Sequence, residues 1–328
     1  MTWDVDYLRD NRDENMGFLS KTLLPDGTEI PGTNFDYNYL QHRKVDVVSS
    51  ALDFILPFEK YKITAGAKVS FTNTRNGINY DTSDPTLVQD DYFRYKEQIY
   101  ALYADYSREY SERFSMQLGL RMEHTRTTGI SEAKDTEDKH DYTRLFPTVY
   151  LLYSPTDGHA LNFSFSNRIS RPSQNMVNPF PFYQNKYTYA CGREDLKPSY
   201  TYNVELGYTL KNNFNVSAYY SYSDDVFFQV VDLDAETNVT SFLWENFMQT
   251  HAFGLNNSYT FRTKWLQAYA QHGVSYRRTT SSAATTSPEE KGWAYDASLR
   301  NTFFFNEKKT LLATLSGSYS SRQYQASI

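Results

Sequence analysis

Hydrophobic and polar side chains alternate along much of the chain. Between residues 115 and 123, large apolar residues occupy every second position (Met116, Leu118, Leu120 and Met122), and the positions between them are polar, charged or glycine. Only a β-strand separates side chains in this way, because its successive side chains point to opposite faces. The same alternation occupies 61–71, 161–166, 203–210 and 293–300. No stretch shows a convincing 3.6-residue period, so the pattern predicts an all-β chain with essentially no helix.

The connections between the predicted strands alternate in length. Short connections are predicted near 57–60, 108–112, 154–158, 211–213, 263–264 and 306–309, and long ones over 10–42, 72–92, 126–141, 170–197, 224–240 and 281–290. One strand near 2–7 and six hairpins give about 13 antiparallel strands. Strand segments of about 12 to 20 residues exceed the length usual in soluble sheets. They are long enough to cross a bilayer at a tilt.

Composition narrows the class of protein. Aromatic residues make up 17% of the 328 residues, with 29 Tyr and 22 Phe, and the mean hydropathy is −0.66. The lack of any apolar run of about 18 residues excludes an α-helical membrane protein. A single cysteine excludes a disulfide scaffold, and the net charge of −6 argues against a nucleic-acid partner. Two architectures remain: a soluble β-sandwich or propeller, and a transmembrane β-barrel, in which only alternate residues need be apolar.

The polar face of the strands favours the barrel. It carries Ser, Thr, Asn, Gln and Gly, whereas the outer face of a soluble sandwich is usually rich in Lys and Glu. Aromatic residues lie near the strand ends, as at Tyr100, Tyr106, Tyr220 and Tyr222, and membrane interfaces select aromatic rings. Outer-membrane barrels also alternate short periplasmic turns with long extracellular loops. The sequence therefore predicts an antiparallel, up-and-down transmembrane β-barrel.

An ordered set of short motifs occupies residues 93 to 222. The motifs are Phe93-Arg94-Tyr95-Lys96-Glu97, Tyr100-Ala101-Leu102-Tyr103-Ala104, Gly119-Leu120-Arg121-Met122-Glu123-His124-Thr125, Leu145-Phe146-Pro147, Arg168-Ile169-Ser170-Arg171-Pro172-Ser173, Val177-Asn178-Pro179-Phe180, Leu196-Lys197-Pro198 and Asn203-Val204-Glu205-Leu206. In this order they resemble the outer-membrane β-barrel family of Bacteroidota, which is related to the barrels of TonB-dependent receptors. One departure is that Arg193-Glu194-Asp195 follows Gly192, where the family usually has Gly-Asn-Pro.

The resemblance implies a location, a function and partners. The location is the bacterial outer membrane, with membrane lipid around the barrel. The function is binding and import of a nutrient (a carbohydrate, a peptide or a metal chelate), powered by an energy-coupling periplasmic protein that acts through a plug domain. Residues 1–328 are expected to be a partial barrel domain, about thirteen strands of a larger barrel of 22, with the plug and the C-terminal strands absent. Two alternatives stay open: a non-transporting barrel whose loops bind an extracellular partner, and an outer-membrane hydrolase.

The predicted loop 170–197 holds the candidate ligand contacts. Arg168 and Arg171 lie where a strand ends and this loop begins. They either contact a ligand or pair with acidic residues of the lumen while Pro172 ends the strand ladder; pairing is the favoured interpretation. Five aromatic residues follow in the same loop: Phe180, Phe182, Tyr183, Tyr187 and Tyr189. They could stack on a sugar or another flat ligand, or pack together as the loop folds over the barrel mouth.

Eight charged residues fall on the polar faces of predicted strands. They are Asp53, Lys68, Glu97, Arg121, Glu123, Glu205, Asp296 and Arg300. We expect all of them to line the lumen. A turn centred near Tyr110 would place Arg121 diagonally opposite Glu97, and cross-strand charge pairs stabilise a sheet by roughly 0.2–1 kcal/mol.

The chain offers little for catalysis. Its histidines are dispersed and lie in no His-Glu-x-x-His or Gly-x-Ser-x-Gly setting. We therefore expect no enzymatic activity, no cofactor and no metal site.

Overall fold

One sheet, antiparallel except where two strands pair in parallel, contains most of the described residues. A computed structural model describes residues 1–31, 35–82 and 90–322. The strands are β1 (Thr2–Ser20), β2 (Phe35–Pro57), β3 (Lys62–Thr82), β4 (Asp91–Ser111), β5 (Phe114–Ser131), β6 (Thr136–Tyr153), β7 (His159–Ser170), β8 (Phe182–Asn185), β9 (Thr188–Cys191), β10 (Ser199–Leu210), β11 (Phe214–Asp234), β12 (Val239–Arg262), β13 (Leu266–Ser281), β14 (Glu289–Phe304) and β15 (Leu312–Ser320). The prediction of an all-β chain is confirmed, with the four-residue helix α1 (Gln174–Val177) as an exception.

The strands are ordered in space as they are ordered in the chain. Strands β1 to β7 are followed by β10 to β15, and each pairs with its sequence neighbours. This up-and-down arrangement is the predicted one, and the thirteen strands along it match the predicted number. Strands β8 and β9 form a small hairpin off this path, and β9 pairs with β12. Among the described residues, no helix has the length and apolar character needed to cross a membrane.

Five of the six predicted short connections are confirmed, and the sixth, predicted near 108–112, lies at 112–113. Four of the six predicted long loops are largely strand. Strand β1 continues to Ser20, β3 to Thr82, β5 to Ser131 and β11 to Asp234. Beyond the apolar band, β3 and β5 are mostly polar on both faces and β11 is largely apolar on both, so the period-two alternation stops although the backbone hydrogen-bond ladder continues. Long connections remain at 171–198 and 282–288. Parts of two predicted loops, 32–34 and 83–89, and the chain end at 327–328 lie outside the described residues.

The strand register assigns every residue to one of two faces. Asp53 is opposite Gly66, Lys68 is opposite Ala101, and Glu97 is opposite Thr127. Paired residues point to the same side of a sheet, so following these pairs from β1 to β15 sorts the chain. The eight predicted lumen charges all fall on one side, which we call the inner face.

The opposite, outer face is apolar and uncovered. Leu102, Leu120 and Leu206 are 56%, 50% and 55% exposed, respectively. Such a continuous apolar surface is unusual for a soluble protein. Aromatic residues border it, as the alternation predicted: Tyr220 and Tyr222 flank the ring of His251 on this face.

The predicted pairing of Arg121 with Glu97 is wrong in register. The turn between β4 and β5 lies at residues 112–113, so Arg121 is opposite Tyr103, and Glu97 is six residues away along β4. The two side chains do share the inner face. Arg121 instead bonds to Glu123 on its own strand, with Nε donating to Oε2 at 2.9 Å.

The outer face yields a first prediction. Leu120→Arg places a charge in the apolar band, where arginine costs a membrane barrel about 2–4 kcal/mol at mid-depth. We expect the free energy of unfolding in lipid vesicles, measured by urea titration, to fall by this amount. The matched control is Gln117→Arg, which lies on the inner face of the same strand and is exposed. Equal destabilisation by the two variants would contradict the assignment of faces.

Candidate functional site

The connection from residue 171 to residue 198, here called the inserted loop, lies against the inner face near the long-loop end of the sheet. The carbonyl oxygen of Pro181 accepts hydrogen bonds from the hydroxyls of Tyr37 and Tyr80, at 3.2 and 3.3 Å. Phe180, which is 1% exposed, meets the ring of Phe93 edge-on at 6.3 Å between centroids. The inserted loop thus packs on strands β2, β3 and β4 through an aromatic core.

The five predicted loop aromatics divide into two groups. Phe180 and Tyr183 are buried in this core, and Phe182 and Tyr189 pack against it. The rings of Tyr183 and Tyr37 are 5.0 Å apart. Their packing follows the second of the two interpretations, in which the loop folds over the mouth. Tyr187 is different, because 54% of it is exposed and its ring is accessible from outside.

The second half of the inserted loop is attached to β12. Strand β9 pairs with β12 in parallel, with Thr188 opposite Thr240 and Cys191 opposite Leu243. Further along, the Asn246 side chain holds the backbone of Lys197 in both directions, with its Oδ1 accepting from the Lys197 N–H and its Nδ2 donating to the Lys197 carbonyl, both at 2.9 Å. The loop therefore joins β2–β4 to β12 across the inner face.

Gly192 is needed for this path. Its N–H donates to the Asn178 carbonyl at 2.9 Å, and the next N–H, that of Arg193, donates to the Met176 carbonyl at 2.8 Å. A Cβ at position 192 would lie 2.6 Å from the Met176 carbonyl oxygen and closer still to that of Asn178. Only glycine allows the two limbs of the loop to approach this closely.

A buried charge network lies below the start of the inserted loop. Glu123 is 4% exposed, and its two carboxylate oxygens bond to different guanidinium groups, those of Arg121 and Arg171. Arg171 also donates to the hydroxyl of Thr125 at 3.3 Å, and its Nε lies 3.8 Å from the carboxylate of Glu97. Arg171 therefore pairs with acidic residues of the inner face, as the favoured interpretation expects, whereas Arg168 forms no ion pair among the described residues. Charge-assisted bonds of this kind are among the strongest in proteins.

Next to this network is a cavity of about 340 Å³, here called the rim pocket. Its lining combines strand residues with both ends of the inserted loop: Tyr95, Glu97, Thr127, Lys139, His140, Asp141, Tyr142, Arg144, Arg171, Pro172, Glu194, Leu196, Lys197, Pro198, Tyr200 and Asp225. The pocket lies where β6 and β7 separate. Their ladder ends at the pair Thr148–Ser166, directly before Pro147, which has no N–H to donate.

The rim pocket presents aromatic rings and charges of both signs. The guanidinium of Arg144 stacks on Tyr200 at 4.8 Å from the ring centroid. Burial raises the pKa of Glu194, although its hydrogen bond from Thr136 opposes this effect. Asp225 reaches the pocket from an irregular part of β11, where the register with β12 shifts and its φ is 52°. Such a lining suits a polar ligand with a flat or hydroxylated surface.

Sequence reasoning found part of this site. Arg171 and Glu97 line the pocket, and Glu123 and Arg121 support them. Arg168 and Glu205 share the inner face but are exposed, and neither forms an ion pair among the described residues. The missed residues include Tyr142, Arg144, Glu194 and Tyr200. The only sequence feature that marks these four residues is their position beside the motifs Leu145-Phe146-Pro147 and Leu196-Lys197-Pro198.

Histidines meet carboxylates at the rim in three places. His42 contacts Asp13 at 2.8 Å, and His140 contacts Asp138 at 2.8 Å. His124 lies between Thr143 and Asp141 on the outer face. Asp13 and Asp141 are well exposed, as in ordinary surface pairs, whereas the Oδ2 of Asp138 is buried beside His140. Within 1–31, 35–82 and 90–322, no group of three or more metal-ligating side chains converges.

Comparisons with known proteins address the whole chain. A family model described as "Outer membrane protein beta-barrel family" matches residues 1–328. A search of curated proteins finds no match.

Solved structures resemble this fold over about half of their own length. The chain is similar to the structure titled "Copper transporter OprC", with a TM-score of 0.55 and 13% identity, over 90% of this chain and 52% of that one. It is also similar to the ferric yersiniabactin uptake receptor FyuA from Yersinia pestis (TM-score 0.49, 14% identity, 97% and 50% of the two chains). A third is the ferripyoverdine receptor of Pseudomonas aeruginosa (TM-score 0.47, 14% identity, 97% and 47%).

The path of the inserted loop yields a second prediction. Gly192→Ala forces the added methyl against two carbonyl oxygens, so we expect the loop to leave the inner face. Hydrogen exchange at 176–193 should accelerate at least tenfold. The matched control is Gly77→Ala on β3, where a methyl would lie 3.6 Å from the Tyr92 ring, an ordinary contact. Unchanged exchange in the Gly192 variant would refute the geometric requirement.

The charge network yields a third prediction. Glu123→Gln leaves two partly buried guanidinium groups without their shared counter-charge, and breaking such a pair costs about 3–5 kcal/mol. Urea unfolding in vesicles should show a loss of this order. Glu205→Gln is the control, since this inner-face carboxylate is exposed and has no ion pair among the described residues. A similar loss in both variants would show that the network adds nothing specific.

Proposed function

Because the chain belongs to the outer membrane protein β-barrel family, we propose that it forms part of the barrel of a nutrient receptor in the bacterial outer membrane. The protein is an outer-membrane β-barrel that resembles TonB-dependent receptor barrels. The outer face meets lipid, and the ladder pairs the backbone polar groups that lipid cannot satisfy. The inner face is left to carry polar chemistry.

The rim pocket is the observation that carries the proposal. It brings Tyr142, Arg144 and Tyr200 together with carboxylates at the long-loop end, which is the extracellular end in outer-membrane barrels. Its size and mixed lining match a site for a small polar solute. The inserted loop forms one wall of the pocket, so a movement of that loop would open a path from the pocket along the inner face.

Import requires energy that the barrel itself does not supply. We propose that the full-length protein couples to a periplasmic energy-transducing partner through a plug domain, as TonB-dependent receptors do. The nutrient is a carbohydrate, a peptide or a metal chelate. The charges of the pocket, which include both carboxylates and guanidinium groups, suit a solute with several hydrogen-bonding groups.

Growth under nutrient limitation tests the proposal. A strain that lacks the gene is grown with a carbohydrate, a peptide mixture or a metal chelate as the single limiting source. We expect a growth defect on one source, restored by the wild-type gene and restored at least tenfold less efficiently by a Tyr142→Ala, Arg144→Gln variant. Gln271→Ala, on the inner face away from the pocket, should restore growth fully.

The growth experiment also distinguishes a nutrient receptor from a barrel that only binds an extracellular partner. A protein that only presents loops to an extracellular partner would show no defect on any of the three sources. Full rescue by the pocket variant would instead place nutrient binding elsewhere on the barrel.

A further inference from the structure

Three cations form a lateral row on the outer face. Lys44 on β2 is directly opposite Arg75 on β3, and Arg75 is directly opposite Arg94 on β4. Directly opposed side chains have Cβ atoms about 5 Å apart, and like charges in such positions destabilise a sheet. The row ends at Asn11 on β1 and at Ile130 on β5, so neither residue directly opposite its two ends is a carboxylate. We call Lys44, Arg75 and Arg94 the cationic row.

The cationic row is not neutralised by ion pairs within the described part of the chain, although Asp46 attracts Lys44 at a distance. None of its three members forms an ion pair there, and the Nε atoms of Arg75 and Arg94 are buried without a hydrogen-bond partner. The nearest carboxylate along β2 is Asp46, which is engaged by Arg9 at 2.6 Å and by the Tyr7 hydroxyl at 3.1 Å. Desolvated donors without partners are costly, so the arrangement fits an external anion.

The distance of the cationic row from the apolar band indicates which kind of anion can reach it. Val48 and Phe71, both exposed on the outer face, lie four residues from Lys44 and Arg75 along their strands. On β4, a further outer-face cation, Lys96, lies four residues from Tyr100 in the direction of the long-loop end. Four strand residues span about 13 Å, or about 10 Å along the membrane normal at a usual barrel tilt. Long cationic side chains bend toward the interface, so their charged ends reach the headgroup layer.

We propose that the cationic row binds the phosphate group of a lipid in the outer leaflet. A phosphate offers several acceptor oxygens and a charge of almost two, and guanidinium groups bind it in a bidentate manner. A lipid phosphate satisfies the unpartnered Nε donors and screens the repulsion between the three cations. Its acyl chains continue over the exposed Val48, Phe71 and Tyr100 just below. The surface thus combines an anion site with the apolar band that the same molecule requires.

Native mass spectrometry of the full-length protein in neutral detergent tests the site. The probe is lipid A, titrated in the presence of EDTA so that divalent cations do not bridge phosphates. We expect the Lys44→Gln, Arg75→Gln, Arg94→Gln variant to bind lipid A at least tenfold more weakly than the wild type. Dephosphorylated lipid A should bind the wild type as weakly as lipid A binds the variant.

A matched triple variant controls for the loss of positive charge at the rim. Arg126→Gln, Arg278→Gln and Lys291→Gln remove three outer-face cations that have acidic partners: Arg126 bonds to Asp141, and Arg278 and Lys291 bond to Glu289. This variant should bind lipid A within twofold of the wild type. A charge-conserving Arg75→Lys, Arg94→Lys variant should keep most of the affinity, which separates a binding defect from misfolding.

Three results would overturn the proposal. One is equal binding of lipid A and its dephosphorylated form. Another is the same loss of affinity in both triple variants. The third is complete displacement of lipid A by an equimolar amount of inorganic phosphate, which would show a site for a free anion rather than for a lipid.

Discussion

The continuous antiparallel hydrogen-bond ladder is the constraint on which the other features depend. It links thirteen strands in chain order and fixes the side to which each residue points. A slip of one residue in any pair would exchange the two faces of that strand. Because Asp53 near one edge and Asp296 near the other share the inner face, the register is consistent across the sheet. An apolar surface for lipid and an opposite polar surface coexist on one sheet for this reason.

The inserted loop depends on that inner face and in turn organises it. Aromatic packing holds its first half on β2–β4, and parallel pairing holds its second half on β12. Arg171, at the start of the loop, completes the charge on Glu123. The rim pocket exists because loop and wall are held apart where β6 and β7 separate. The rim pocket therefore adjoins both the inserted loop and the charge network, since Arg171 and Glu97 line it.

The sequence predicted the fold best where lipid imposes a pattern. Residues 115–123 alternate because one face meets acyl chains, and the same residues lie in β5 with Leu118 and Leu120 exposed. At the rim no such selection acts, so the hydrophobic pattern does not predict the strand ends of β1 and β11. The hydrophobic alternation also does not predict the register between neighbouring strands. A turn placed near Tyr110 instead of at residues 112–113 displaces cross-strand partners by four positions, so it brings Arg121 diagonal to Glu97 instead of opposite Tyr103.

The sequence by itself determined the class of fold, the approximate number of strands along the sheet and the shared face of eight charged residues, because a period of two residues is a local property of the chain. Only the tertiary structure decided which charges meet. Arg171 reaches Glu123 across 48 positions of sequence, and Tyr142, Arg144 and Tyr200 converge because two strands part and a loop returns between them. The row of Lys44, Arg75 and Arg94 likewise forms only through register. Contacts between distant segments depend on turn positions and loop paths, which no local pattern encodes.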